Sequence, residues 1–102
     1  MEQKCFELIF DDGILSLIFI GEPDRHQATA ARFEIDQKIH ELRPYKIIMD
    51  ISTIEDITVS TTLGLIIGRF QLAEELGIEF SLKNPSSKVK TRLKSMGVTK
   101  IL

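Results

Sequence analysis

Three consecutive hydroxyl side chains, Ser60, Thr61 and Thr62, follow the acidic pair Glu55 and Asp56 and precede an apolar stretch with helical periodicity. The first N–H groups of a helix have no intrahelical partner, and together with the helix dipole they favour an anion. A phosphate on such a hydroxyl adds about −1.5 to −2 charges, so it would change the local charge strongly. The pattern favours a switch or docking module. Helix capping by one of the hydroxyls is the structural alternative.

The other residue types that could do chemistry are scattered. The sequence has no glycine-rich phosphate loop before a helix, no nucleophile elbow and no HExxH motif. Cys5 has no assignable base, and His26 and His40 lack the spacing of a zinc site. We therefore predict that the chain is not an enzyme and that it uses no metal or other cofactor.

Acidic residues are expected near the carboxyl ends of the strands, where ligands of open α/β sheets bind. Asp24, Asp50 and Asp56 are therefore alternative nucleotide- or ion-binding residues, with Glu55 beside them, because carboxylates hold Mg²⁺ together with phosphate. Their spacing is not diagnostic of an octahedral site. Turn formation is the competing interpretation.

Length and composition indicate one globular domain over residues 1–102, with 43% hydrophobic and 27% charged residues. No apolar run approaches the ~20 residues that span a bilayer, and the N-terminus lacks a signal-peptide pattern. A single cysteine cannot form an internal disulfide. These features predict a cytoplasmic protein without membrane insertion.

Charge is unevenly distributed along the chain. Residues 1–79 hold all fifteen acidic and seven basic side chains, a net charge of −8, whereas residues 80–102 hold six basic and no acidic ones. Such a split could mark a nucleic-acid surface. No aromatic side chain is interleaved with these cations to stack on bases, so we predict a solvated basic face and no nucleic-acid partner.

Periodicity predicts the order ββαβαβα and a mixed, mostly parallel sheet of four to five strands packed against helices. Asp11-Asp12-Gly13 predicts the turn of a β-hairpin or tight strand pair, and the apolar run of the third strand predicts a strand covered on both faces. Val89, Leu93 and Met96 predict the buried stripe of the last helix, followed by a tail that packs through Val98, Ile101 and Leu102. The predicted strands are Phe6–Phe10, Ile14–Ile20, Lys46–Ile51 and Ile78–Leu82, and the first two helices are Gln27–Leu42 and Thr61–Leu76.

The second predicted helix has two apolar rows. Leu63, Ile66, Ile67 and Phe70 are assigned to the core, and the opposite row, with Arg69 beside it, consists of Leu65, Leu72 and Leu76. Gly64 and Gly68 lie on the flank between the rows, although each glycine costs a helix about 1 kcal/mol relative to alanine. Missing side chains let another backbone approach, which is either a neighbouring helix of the same domain or an external partner.

The order and spacing of several short motifs resemble the STAS domain, the fold named for sulfate transporters and anti-sigma factor antagonists. The resemblance covers essentially the whole chain and is best over IIMDIS, STTLGLIIGRF, the turn GEPD and EELGIEFSLKNPSSKVKTRLKSMGVTKIL. Family members have a strand ending in Asp and then a D-S-S/T-G-L-G turn that opens a helix. A strand, an Asn-Pro turn and a final helix follow.

The resemblance implies a phosphorylation switch. In bacterial anti-sigma factor antagonists the first Ser of the turn is phosphorylated by a serine kinase that is also the anti-sigma factor, and a phosphatase resets it. Ser60 matches this phosphoacceptor and Thr61 its neighbour, while Leu63 and Gly64 match the following Leu-Gly. The implied docking surface is the start of this helix, comprising Thr62, Leu63, Gly64, Leu65, Gly68 and Arg69, on a monomer or weak homodimer.

Two positions depart from the family pattern: Val59 replaces the usual Asp, and Thr62 replaces the usual Gly. The preceding loop is also one residue longer. These departures leave open a weak kinase substrate, modification at another hydroxyl, and a partner bound without a switch. The alternative functions are therefore a constitutive STAS subunit of a lipid-transporter ATPase or stress-signalling complex, and a nucleotide sensor.

Overall fold

Seven regular elements follow one another in the predicted order ββαβαβα. The computed structural model describes residues 4–57 and 60–102, with Ser60 described in its backbone only. The α/β fold class and the four-stranded mixed sheet are confirmed. The strands are β1 (Phe6–Asp11), β2 (Ile14–Phe19), β3 (Lys46–Asp50) and β4 (Glu79–Lys83), and the helices are α1 (Arg25–Leu42), α2 (Ser60–Leu76) and α3 (Ser87–Ser95).

The strands lie side by side in chain order. β1 and β2 form the predicted antiparallel hairpin, and β2–β3 and β3–β4 are parallel. Asp12 and Gly13 have φ values of 50° and 76°, which match the positive values that a tight hairpin turn requires at both positions. A Cβ at Gly13 would also lie 2.7 Å from the Tyr45 ring. Both the positive φ and the close approach of Tyr45 therefore require glycine at position 13.

The hydrophobic core lies on one face of the sheet. Leu15, Ile47 and Phe80 form one cross-strand row, and all three are buried. Their neighbours along the strands point to the opposite face, where Ile48 is half-buried and Ile9 is 50% exposed. The prediction that β3 is covered on both faces is therefore wrong. Only alternate residues of β3 are buried, so its continuous apolar run includes side chains on the less covered face.

Helix α1 begins two residues earlier than the periodicity predicts because Asp24 caps it. The Asp24 carboxylate accepts from the Gln27 backbone N–H at 2.7 Å, and the Gln27 side chain accepts from the Asp24 N–H at 3.0 Å. This reciprocal pair is a capping box. The buried side of the helix consists of Ala28, Ala31, Ile35 and Ile39.

The last helix and the tail match the predictions in part. Ser86 caps α3 by accepting from the Val89 N–H at 3.1 Å, and Val89 and Leu93 are buried. Met96 lies at the C-cap, outside the helical periodicity, and is 52% exposed, so its predicted burial is wrong. Leu102 is likewise 40% exposed, whereas Ile101 is buried. Across the described ranges, no helix has the length and apolar content to cross a bilayer.

Candidate functional site

The segment that joins β3 to α2 is held by a row of isoleucines. Ile51, Ile54 and Ile57 recur at every third position and are all buried. Between them Ser52, Thr53 and Glu55 are exposed and Asp56 is half-buried. Residues 52–57 belong to no helix or strand. Besides the backbone hydrogen bonds from Ile51 to Lys83 and from Ile54 to Ile51, their position depends on this apolar row and on side-chain hydrogen bonds. From the sequence this stretch is recognised only by its acidic pair, although the three-residue spacing of the isoleucines is visible there.

The two ends of this segment are tied to different parts of the fold. The Thr53 hydroxyl donates to the Phe19 carbonyl at 2.6 Å and accepts from the Gly21 N–H at 2.8 Å. At the other end, the Ser86 hydroxyl donates to the Glu55 carbonyl at 2.5 Å. The segment therefore bridges the end of β2 and the start of α3.

A forked ion pair reinforces the contact with α3. Arg92 Nε lies 2.6 Å from Asp56 Oδ1, and Nη2 lies 3.2 Å from Oδ2. The hydrogen bond from Arg92 holds the pKa of Asp56 below its ordinary value, and the carboxylate raises the pKa of Arg92. Lys88 lies 3.8 Å from Glu55 beside them. Sequence reasoning missed Arg92, and the only signal was the basic charge of residues 80–102.

The hydroxyl triplet stands at the start of α2. Ser60 is the first helical residue, and its side chain lies outside the described part of the chain, as do Thr58 and Val59. The Thr61 and Thr62 hydroxyl oxygens are buried and have no hydrogen-bond partner within the described residues 4–57 and 60–102. The capping alternative is therefore wrong for these two threonines. Burial also disfavours both as phosphate acceptors.

The buried side of α2 lies between the two predicted apolar rows. Ile66, assigned to the core, and Leu65, assigned to the opposite row, are both buried, and Leu63 is partly buried. Ile67 is half-buried and outside the hydrophobic core, so its assignment to the core is wrong. The buried arc is wide because α2 contacts both the sheet and α1.

Helix α1 covers Arg69 and Leu65, which removes both from the predicted docking surface. Arg69 is only 5% exposed, and its Nε lies 2.7 Å from Asp36 Oδ1 on α1. Burial lowers the pKa of Arg69, and the Asp36 carboxylate partly offsets this effect. Thr62, 1% exposed, is removed from the surface as well. The Asp36 partner was not predicted.

The two glycines of α2 remain open. A Cβ at Gly64 or Gly68 would meet no atom within 4 Å, so no element of the described chain packs closely against them. The alternative in which a helix of the same domain fills their groove is therefore wrong at these two positions. Gly64, Ile67, Gly68 and Gln71 follow the i, i+3, i+4, i+7 spacing and form an outward strip, which we call the glycine strip.

A shallow groove of about 240 Å³ adjoins the glycine strip. Gly64, Thr61 and Leu65 of α2 line one side, and residues of α1 line the other. The α1 residues are Ala28, Thr29 and Arg32. The side chain of Arg32 is exposed and places a cation at this groove.

The carboxylates proposed as ion ligands have local structural roles. Asp24 caps α1, Asp50 accepts from the Ser52 N–H at 3.0 Å, and Asp56 binds Arg92. Within residues 4–57 and 60–102, no group of three or more histidine, cysteine or acidic side chains has an arrangement that could hold a metal ion. Each of these three carboxylates therefore has a structural contact of its own, and the alternative ion site stays a prediction.

The basic end of the chain is partly neutralised by the acidic part. Arg92 pairs with Asp56 and Lys88 with Glu55, and Lys100 lies 3.0 Å from Glu74 of α2. Half of the six basic side chains of residues 80–102 therefore face acids from the first 79 residues. The charge split of the sequence serves internal contacts.

A family model for the STAS domain matches residues 6–102. This chain belongs to the STAS domain family. An anti-sigma F factor antagonist from Paenibacillus polymyxa is 27% identical over 90 residues, which are 88% of this chain and 76% of that protein.

Two solved STAS structures compare closely in fold. The anti-sigma factor antagonist SpoIIAA in its unphosphorylated form is 24% identical, with a TM-score of 0.79 over 91% of this chain and 81% of that one. The phosphorylated form of the Bacillus cell fate determinant SpoIIAA is 23% identical, with a TM-score of 0.77 over 91% and 84%. The TM-scores show that the fold is shared.

Proposed function

We propose that this STAS protein is an anti-sigma factor antagonist that binds an anti-sigma factor with serine kinase activity in the bacterial cytoplasm. The observation that carries the proposal is the open glycine strip beside Ser60 at the start of α2. With no side chain at Gly64 and Gly68, a partner element can approach the helix backbone. Leu63 borders this surface.

In this proposal Ser60 is the phosphate acceptor that releases the partner, and a phosphatase removes the phosphate. The buried hydroxyls of Thr61 and Thr62 leave Ser60 as the preferred member of the triplet, with Thr61 second. A phosphate there would add negative charge close in sequence to Glu55 and Asp56, and like-charge repulsion would weaken binding of an acidic or closely packed partner. The protein itself performs no chemistry.

The related anti-sigma F factor antagonist and the structures of SpoIIAA with and without phosphate support this proposal by family relationship. A constitutive STAS subunit that binds a transporter ATPase would use the same glycine strip without a change of charge. Phosphorylation is therefore the property that separates the two functions.

Incubation with ATP and the anti-sigma factor kinase of the same organism, followed by mass spectrometry, tests the switch. We expect one phosphate on Ser60, its loss in Ser60→Ala, and full labelling of the control Ser52→Ala, which removes an exposed hydroxyl of the same segment. The phosphorylated protein should bind the kinase more weakly. Binding without label on Ser60, Thr61 or Thr62 would instead indicate the constitutive subunit.

A further inference from the structure

Polar side chains of α3 connect this helix to the segment Ser52–Ile57. The Ser86 hydroxyl accepts a hydrogen bond from the Val89 N–H in the first turn of α3 at 3.1 Å and donates to the Glu55 carbonyl at 2.5 Å. One side chain thus caps α3 and holds the segment. Arg92, nearly two turns further along α3, adds the two-point contact with Asp56.

These contacts complete a set that fixes both faces of the segment. Buried Ile54 and Ile57 hold its apolar side, and Thr53 ties its first half to the end of β2. On its polar side, toward α3, the second half is held by Ser86 and Arg92, with Lys88 at a longer distance. Loss of Arg92 would remove both of the hydrogen bonds that its guanidinium donates to the Asp56 carboxylate.

We propose that Arg92 is a positioning residue: its fork on Asp56 holds the segment that leads into α2, so that α3 governs how the start of α2 is presented to a partner. The effect on a partner at α2 rests on the proposed function, whereas the positioning of residues 52–57 by Arg92 does not. Asp56 precedes Ser60, the first residue of α2, by only four positions in the sequence.

An exposed ion pair contributes little to the global stability of a protein. The side chains of Arg92 and Asp56 are 52% and 25% exposed. A purely stabilising role would therefore be a weak reason for the contact. Its geometry matters more, because the planar guanidinium fixes both the distance and the orientation of the carboxylate.

The test compares Arg92→Gln with Lys90→Gln, which removes an exposed cation of the same helix that pairs with no acidic side chain among the described residues. Hydrogen exchange of residues 52–57 should become about two- to fivefold faster in Arg92→Gln and remain at the wild-type rate in Lys90→Gln. The charge-exchanged double variant Asp56→Arg with Arg92→Asp should restore slow exchange. Equal exchange in Arg92→Gln and Lys90→Gln would overturn the positioning role.

The functional arm measures phosphorylation by the anti-sigma factor kinase in the same three variants. We expect a lower kcat/KM for Arg92→Gln, with only a small decrease in Tm, and recovery of kcat/KM in the double variant. Faster exchange with unchanged kcat/KM would limit the contact to the segment and overturn its effect on α2. If the wild-type protein takes no phosphate, the proposed function fails, while the exchange rates still decide whether Arg92 positions the segment.

Discussion

The starts of α1 and α2 differ sharply, although both helices follow parallel strands of the same sheet. At α1, Asp24 and Gln27 satisfy each other's N–H groups in a capping box. At α2, the Thr61 and Thr62 hydroxyls are buried without hydrogen bonds to the part of the chain that the structure describes, and an open glycine strip begins within the first turns. Unsatisfied buried groups are uncommon in native proteins and concentrate where function competes with stability. Under the proposed function, α1 serves as scaffold and α2 as the docking element.

The largest expected effect is on partner binding. Gly68→Trp should weaken the complex with the anti-sigma factor by at least about 100-fold, or about 2.8 kcal/mol, because the new side chain fills the space that a partner backbone would occupy. The fold should persist, since the Cβ meets no atom within 4 Å. Isothermal calorimetry measures the affinity. Ala30→Trp, at an exposed position of α1, is the control and should bind normally.

At α1, loss of the helix cap should lower the stability of the protein and leave its affinity for the partner unchanged. Asp24→Ala should lower the free energy of unfolding by about 1 kcal/mol, because the capping box is lost. Urea denaturation measures this change. Affinity for the partner should stay at the wild-type value, and a large loss of affinity would place α1 in the interface after all.

At α2 a conservative substitution should stabilise the protein. Thr62→Val replaces a buried hydroxyl, which has no partner among the described residues, with a methyl group of similar size, and we expect a gain of about 0.5–1 kcal/mol. Thr29→Val is the control on α1, since the Thr29 hydroxyl donates to the Arg25 carbonyl at 3.0 Å. That control should show no gain. Equal effects of the two substitutions would remove the energetic difference between the helices.

The smallest expected effect is a dependence of stability on pH. The pKa of Asp56 is lowered from its ordinary 3.8 by Arg92, so the pair stabilises the folded state above that value. This contribution is lost as the pH falls through the lowered pKa. The stability difference between wild type and Arg92→Gln should therefore be present at neutral pH and vanish in acid. Thermal unfolding across this range, repeated in high salt, measures it.

Much of the fold could be predicted from local patterns. The Asp-Gly hairpin turn, the glycine after α2 and the serine cap of α3 depend on residues within a few positions of one another. Gly77 adopts φ 71°, as a helix-ending glycine should. Met96 was misplaced because helical periodicity cannot tell where a short helix stops.

The candidate site was predicted less well, because contacts between distant segments define it. The wheel of α2 placed Ile67 in the core and Arg69 at the surface, and α1 reverses both assignments by covering one side of the helix. The fork of Arg92 on Asp56 joins residues 36 positions apart. No local pattern encodes such a pairing.

By itself, the sequence determined which segments become strands and helices, where they turn, and which family they belong to, because backbone sterics, capping and hydrophobic periodicity act over short distances. The tertiary structure alone decided which side of α2 is buried, which glycines stay open and which hydroxyls lose access to solvent. Exposure depends on what packs against a surface. That neighbour is set by the topology of the sheet.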